Sequence, residues 1–450
     1  MNGAISRLIR RTADIKEQEV AAVIWSAAYF FFVLSAYYVL RPIRDAAGVA
    51  GGVKNLPWLF TGTLVGMLLI HPVFAALVCR FPRKRFVPLA YRFFILHLVI
   101  FFLLYKFVEP SKSVWIGRIF FIWASIFNLF VVSVFWSFMT DVFRPGQSKR
   151  LFGIVAVGGS IGAMTGSLIT SALADRLGSL NLLLVSAVLL EVACYASRIL
   201  ERHESALALA AEEPDPATEP GTPANNSEDP IGGRLLDGIK SVFASPYLLG
   251  ISGLMLFYTI SNTFLYIQQA DIVSHSLGKD SAAQTQLFAQ RDLAANTLTL
   301  LTQLFLTGRI VRWFGVGIAL AFLPLLSAVG FALLGSWPVL GMAIAFDVVR
   351  RGANYAIQQP ARGTLYTVLS RSDRYKAKNF NDTFVYRAGD QIGAWSYLGI
   401  AALGLSISGL SWTMVPLSIL WLALALWIGR KYLQLHRASI AGREPGPAER

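Results

Sequence analysis

YYVLRPIRDAAG, residues 37–48, closes an apolar run over 20–40. A spanning helix needs about 20 apolar residues, so that run is long enough to cross a bilayer. Arg41, Arg44 and Asp45 stand at or just past its end, with Pro42 between them. Ionisable groups at membrane depth are costly, and they tend to face a water-filled cavity or a charged partner. Guanidinium groups placed at the end of a spanning helix are therefore expected to have a use.

The rest of the chain agrees with a membrane setting. It has 450 residues, of which 55% are hydrophobic and only 15% charged, and a mean hydropathy of +0.55. Soluble domains carry about 25% charged residues. The formal charge of +14 does not point to nucleic acid, because the basic residues sit in short segments between apolar runs. The two cysteines, Cys79 and Cys194, fit neither a disulfide framework nor a CxxC metal site, and the five histidines are scattered without an HExxH. A GxxxxGK[ST] phosphate loop is absent, so the chain holds no P-loop engine. No cofactor, metal or catalytic constellation is expected, and the reading is not that of an enzyme. The first apolar run exceeds a signal h-region and reads as a retained span.

About 20 apolar residues per span yields about twelve helices, over 20–40, 56–78, 86–107, 114–139, 151–173, 180–200, 247–268, 286–307, 316–335, 338–359, 384–405 and 410–432. Between the sixth and seventh lies EEPDPATEPGTPANNSEDP, acidic and Pro-rich, which cannot form a core. The expected organisation is a six-helix bundle over 1–200, a flexible cytoplasmic linker over 201–245, and a second six-helix bundle with a basic tail over 246–450. Lys and Arg in the inner segments outweigh those in the outer loops roughly four to one, which puts both termini in the cytoplasm.

Two segments resemble each other: SKRLFGIVAVGGSIGA (148–163) and YKAKNFNDTFVYRAGDQIGA (375–394). Each has a basic cluster, a helix entry and a Gly-containing stretch ending in Ile-Gly-Ala. Two similar halves joined by a linker are the plan of a rocker-type transporter; six plus six spans with both ends inside resembles the major facilitator superfamily. The glycines of GGSIGAMTG, including the Gly162/Gly166 GxxxG spacing, are read as close helix packing rather than binding.

Charged residues fall inside or at the edges of the runs: Arg92, Arg118, Arg291, Arg350, Arg351 and Arg387, with Glu191, Asp292, Asp347 and Asp390. Arg92, Arg118 and Asp292 lie near predicted span ends, where snorkelling to the headgroups is one explanation and a site the other. Asp347 with Arg351, and Asp390 with Arg387, have intrahelical pair spacing. The excess of arginine suggests an anionic substrate, because Arg binds carboxylate or phosphate bidentately and keeps its proton. Tyr37, Tyr38, Tyr355 and Tyr386 lie close to these arginines, and such rings can stack a nucleobase or simply mark the membrane interface.

Three segments resemble the ATP/ADP translocase family of bacterial and plastidic nucleotide transporters: YYVLRPIRDAAG, WSFMTDVFRPGQSKRLFGIVAVGGSIGA (136–163), and YAIQQPARGTLYT followed by YKAKNFNDTFVYRAGD (375–390). The resemblance implies twelve helices and ATP:ADP-type exchange without hydrolysis. By position it makes Arg44, followed by Asp45, a phosphate-binding cation, and Lys378, with Asp382 four residues on, the cation of the second half. Gly363 stands where that family usually has an acid, and Arg44 where its better-known members have Lys.

The expected protein is an all-α multi-pass transporter of the bacterial inner membrane, working as a monomer by alternating access. Its substrate would be a small anion, a nucleotide or phosphorylated metabolite, and its other surroundings membrane lipid. Its expected substrate contacts are Tyr38, Arg41, Arg44, Asp45, Arg350, Arg351, Tyr355, Lys378, Asp382, Arg387 and Asp390. Asp45, Asp347 and Asp390 would pair with the arginines in the empty carrier. Two other readings stay open: a proton-coupled carrier of another solute, in which Asp45, Glu191 or Asp390 titrates, and a non-transporting membrane protein that binds a partner or handles lipid.

Overall fold

The computed structural model of the chain describes residues 15–80, 83–202, 242–243 and 245–440. The acidic linker, apart from its ends, and the basic terminal segments lie outside the described residues. The described residues are helical and form twelve rods, with no strand among them. The first four are α1 (Val20–Ala50), α2 (Leu56–Arg80), α3 (Arg83–Phe107) and α4 (Pro110–Val142). The run Pro145–Arg202 breaks at Gly178 into α5 (145–177) and α6 (179–202). There follow α7 (Pro246–Leu277), α8 (Ser281–Phe305) and α9 (Thr307–Ser336). The rod α10 joins Leu340–Ala353 to Gln359–Leu365 through a π-helical turn, Asn354–Gln358. The rod α11 joins Arg371–Phe380 to Tyr386–Ala402 through a second π turn, Asn381–Val385. The last rod is α12 (Ile407–Ile440).

The chain reverses between α5 and α6 without a loop because Gly178 takes φ 75° and ψ 153°. A side chain there would clash with its own backbone, and glycine has none. Among the described residues, eight stretches are long and apolar enough by themselves to cross a membrane. The rods α8, α10 and α11 are not among them: α8 is polar, and the other two are interrupted by their π turns. All three carry buried charge.

One expectation about helix ends is corrected. The first span does not stop at Leu40; α1 continues through Pro42 to Ala50. Arg41, Arg44 and Asp45 therefore lie within the helix, Asp45 about 8 Å short of its end at 1.5 Å per residue. Proline removes one backbone donor, but a helix packed on its neighbours tolerates that loss. A hydropathy reading stops early because it counts the charges and cannot count their partners.

The rods form two compact units. Unit 1 contains residues 1–51, 62–227 and 279–293; unit 2 contains 52–61, 228–278 and 294–450. In unit 1 the glycines of α5 lie directly on the backbone of α1. A Cβ at Gly158, Gly162 or Gly166 would overlap the carbonyl oxygen of Ala27, Phe31 or Ser35 respectively. Both series step by four, so two parallel helices meet along one stripe. Ser35 Oγ donates to the Gly162 carbonyl at 3.0 Å, and Thr170 Oγ1 to that of Val39 at 3.4 Å. Behind this contact is an aromatic core in which Phe30 stacks on Phe135 at 4.1 Å and the Tyr29 and Tyr91 hydroxyls meet at 2.6 Å.

In unit 2, α11 packs on α7 by the same device. A Cβ at Gly389 would overlap Thr259, and one at Gly393 would stand 3.0 Å from the Ile260 carbonyl oxygen. Gly162-Ala163 and Gly393-Ala394 are the matched ends of the two similar sequence segments, so the weak repeat records a repeated helix contact.

Candidate functional site

In unit 1 the charges of the quoted stretch meet Arg291 and Asp292, near the middle of α8. Asp45 Oδ1 accepts from Arg44 Nη2 at 2.6 Å and from Arg44 Nε at 3.0 Å. Its other oxygen accepts from Arg291 Nη2 at 2.8 Å. Arg291 also donates to Asp292 Oδ1, from Nη2 at 2.9 Å and Nε at 3.2 Å. Arg41 Nε lies 3.4 Å from Asp292 Oδ2. The side chains of Asp45, Arg291 and Asp292 are at most 1% exposed, whereas those of Arg41 and Arg44 are 16% exposed. Aromatic faces complete the lining: Phe288 beside Arg291 (4.8 Å), Phe121 beside Arg44 (5.2 Å) and Tyr38 beside Arg41 (5.5 Å).

Three guanidinium groups thus face two carboxylates. Arginine does not discharge at working pH, so one positive charge is left over. It resides toward Arg41 and Arg44, the partly exposed members. Arg41 is the more loosely held: its Nε makes no hydrogen bond among the described residues, and Nη1 reaches only the Tyr38 hydroxyl, at 3.4 Å.

Unit 2 repeats the ratio. Arg351 pairs with Asp347 at 3.0 Å and Arg387 with Asp390 at 3.4 Å, at the expected intrahelical spacings. Asp390 also accepts from Thr263 Oγ1 at 3.2 Å. Arg350 is 1% exposed and held by neutral acceptors: Ser261 Oγ at 2.6 Å, Asn262 Oδ1 at 3.0 Å, Ser327 Oγ at 3.3 Å and the Tyr258 carbonyl at 3.3 Å. The Tyr258 ring lies 5.4 Å from its guanidinium carbon. A buried cation is tolerated when hydrogen bonds replace its water; these four do so without neutralising it.

Tyr355 is 44% exposed on the first π turn, and Lys378 and Asp382 are exposed on α11. Among the described residues these last two make no side-chain hydrogen bond or ion pair and do not join the arginine groups. Arg118 donates to the Gly51 carbonyl at 3.0 Å and stacks on Trp115. Arg92 pairs with Glu191 at 2.7 Å, both half-exposed. The snorkelling explanation fails for Asp292, which is fully buried against Arg291 and Arg41.

Sequence reasoning missed the Arg350 shell, because Ser261, Asn262 and Ser327 look like ordinary small polar residues of a span. It also missed Glu19, which is fully buried and accepts from Arg150 at 2.9 Å and Gln147 Nε2 at 3.0 Å. The only signal for Glu19 was an acid directly before the first apolar run.

The family profile described as Major Facilitator Superfamily matches residues 20–377. This chain belongs to the major facilitator superfamily. It is a multi-pass membrane protein of a family of small-solute transporters. Among solved structures it is similar to a bacterial homologue of the human lysosomal transporter Spinster, inward-facing and unoccupied, with 15% identity and a TM-score of 0.55 over 96% of this chain and 99% of that one. It is also similar to an auto-inhibited POT family peptide transporter, with 14% identity and a TM-score of 0.54 over 92% of this chain and 97% of that one. At those identities the likeness shows the major facilitator fold alone. No curated protein matches the chain. The comparisons reach the superfamily; the ATP/ADP translocase subfamily suggested by the motifs is not among their findings.

Proposed function

We propose that this major facilitator is a secondary transporter of a small anion, of the nucleotide or phosphorylated-metabolite class, in the bacterial inner membrane with both termini cytoplasmic. The observation that carries this reading is the repeated three-to-two ratio of arginine to aspartate among buried and partly buried side chains within the helices. Arg41 and Arg44 are the contacts offered by unit 1 and Arg350 that offered by unit 2. Arg351 and Arg387 serve as carboxylate-paired arginines that a substrate can recruit, and Tyr38 and Tyr355 as rings for a base. Lys378 and Asp382 belong to this reading only through the resemblance to nucleotide translocases.

The mechanism is alternating-access exchange. Removing one partner of a buried ion pair costs roughly 3–5 kcal/mol. An anion that takes Arg44 from Asp45 must supply comparable interactions, and an empty carrier cannot. Such a carrier returns only when loaded, which makes it an antiporter. Uptake of labelled ATP, ADP and inorganic phosphate into liposomes holding the purified protein tests this. Uptake confined to liposomes preloaded with unlabelled nucleotide is the expected result; no uptake of any of the three by folded protein discards the nucleotide.

A second reading, a proton-coupled carrier, is favoured by Asp390. Its ion pair with Arg387 is long and its other hydrogen bond comes from the neutral hydroxyl of Thr263, so protonation would sacrifice little. Uptake driven by an inward proton gradient and abolished by Asp390→Asn supports it over exchange.

A further inference from the structure

The two π turns lie beside the charged residues of unit 2, and each opens on an asparagine. Asn354 begins the turn that follows Arg350 and Arg351. Its Nδ2 donates to the Tyr258 hydroxyl at 3.0 Å, while the ring and carbonyl of that tyrosine hold Arg350. Asn381 begins the turn that precedes Arg387 and Asp390. It accepts from Ser252 Oγ at 2.6 Å and donates to the Tyr366 hydroxyl at 2.9 Å. Asn354 and Asn381 are both at least 95% buried.

The second turn absorbs one residue. From Ser252 to Thr263, α7 advances eleven residues; from Asn381 to Gly393, each in contact with one of those two, α11 advances twelve. The corresponding contact of α1 with α5 in unit 1 runs in equal steps of four. A π turn takes up one extra residue within an α-helix, and such turns are frequent at functional sites. Without it, each residue beyond would rotate by about 100° at 3.6 residues per turn, and Asp390, with its partner Arg387, would leave Thr263.

We infer that Asn354 and Asn381 are positioning residues: Asn381, bonded to α7, holds the π turn that aims Arg387 and Asp390, and Asn354 holds Tyr258, whose ring and carbonyl carry Arg350. This rests on the proposed role of those arginines and adds residues outside the charged groups. A merely structural role would lower stability without changing how the arginines are presented.

The test is a double-mutant cycle read by amide hydrogen exchange in lipid nanodiscs, with anion uptake measured in parallel. Asn381→Ala and Tyr366→Phe each remove one end of a buried hydrogen bond. Each should speed exchange over residues 377–390 by about tenfold, the scale of one lost buried hydrogen bond. The double variant should be no faster than the singles. In uptake, Asn381→Ala should raise KM more than it lowers the maximal rate. Unchanged exchange, or additive effects in the double variant, overturns the inference. Deleting Thr383, an exposed residue of the turn, leaves eleven residues on α11 against the eleven of α7, so the plain helix that results should keep Asp390 at Thr263 and retain transport. Loss of transport by a folded deletion variant overturns the register argument; if the deletion fails to fold, the exchange cycle decides. Should the parent carry none of the labelled anions while the exchange cycle holds, the anion reading fails and the positioning role with it, while the asparagine's hold on the turn stands.

Discussion

The contact between Asp45 and Arg291 permits a test that does not depend on the substrate. The two are 246 residues apart in sequence and 2.8 Å apart in the fold, with side chains at most 1% exposed. Asp45→Asn leaves three arginines facing the single carboxylate of Asp292. Arg291→Gln leaves two carboxylates with Arg41 and Arg44, and takes from each a charge-assisted hydrogen bond. Either change strands buried charge, for which the cost is roughly 3–5 kcal/mol. The double variant removes both partners, so part of each penalty is not incurred twice. Its loss should fall short of the sum by about 1–3 kcal/mol, the coupling of contacting residues in one network. The assay is reversible unfolding of purified protein in mixed micelles, followed by tryptophan fluorescence, for parent, singles and double. Effects additive within about 0.5 kcal/mol, the usual result for independent sites, would refute the contact and with it the five-residue network.

Other outcomes follow from the same geometry. Arg44→Ala should abolish anion uptake with membrane insertion normal, while Arg44→Lys should retain part of it if a point charge suffices without the planar fork; uptake by Arg44→Ala at the parental level removes this residue from the site. Arg350→Lys should lose at least about tenfold in uptake, since an ammonium has three donors and cannot match four acceptors set around a fork; kinetics in liposomes would show it. Gly162→Ala should cost about 1–3 kcal/mol of stability through overpacking against the Phe31 backbone, whereas Gly153→Ala, with open space at its Cβ, should be neutral or gain up to about 1 kcal/mol; thermal unfolding of the two compares them directly.

The helical fold was legible from local composition. Hydropathy found the spans because a lipid-facing or core-facing turn must be apolar whatever its neighbours are. The stripe of Gly158, Gly162 and Gly166 was readable as packing because small residues four apart lie on one face of a helix. The pairs Asp347–Arg351 and Asp390–Arg387 followed from spacing for the same reason. Lys378 and Asp382, by contrast, were placed by resemblance and stand apart from the arginine groups.

What the sequence determined by itself was the number of helices, the close packing of the α5 glycines, and an excess of arginine within and at the edges of the spans. What only the tertiary structure decided was which carboxylate faces which arginine. Asp292 read as a residue near a span end became the fully buried partner of Arg291 and Arg41, and Arg350 gained a neutral shell from residues with no charge signal. The physical reason is range. Apolar burial is set residue by residue and leaves its mark on the local sequence. An ion pair between α1 and α8, or a π turn that corrects a one-residue mismatch between α7 and α11, exists only once the packed helices have fixed the distances.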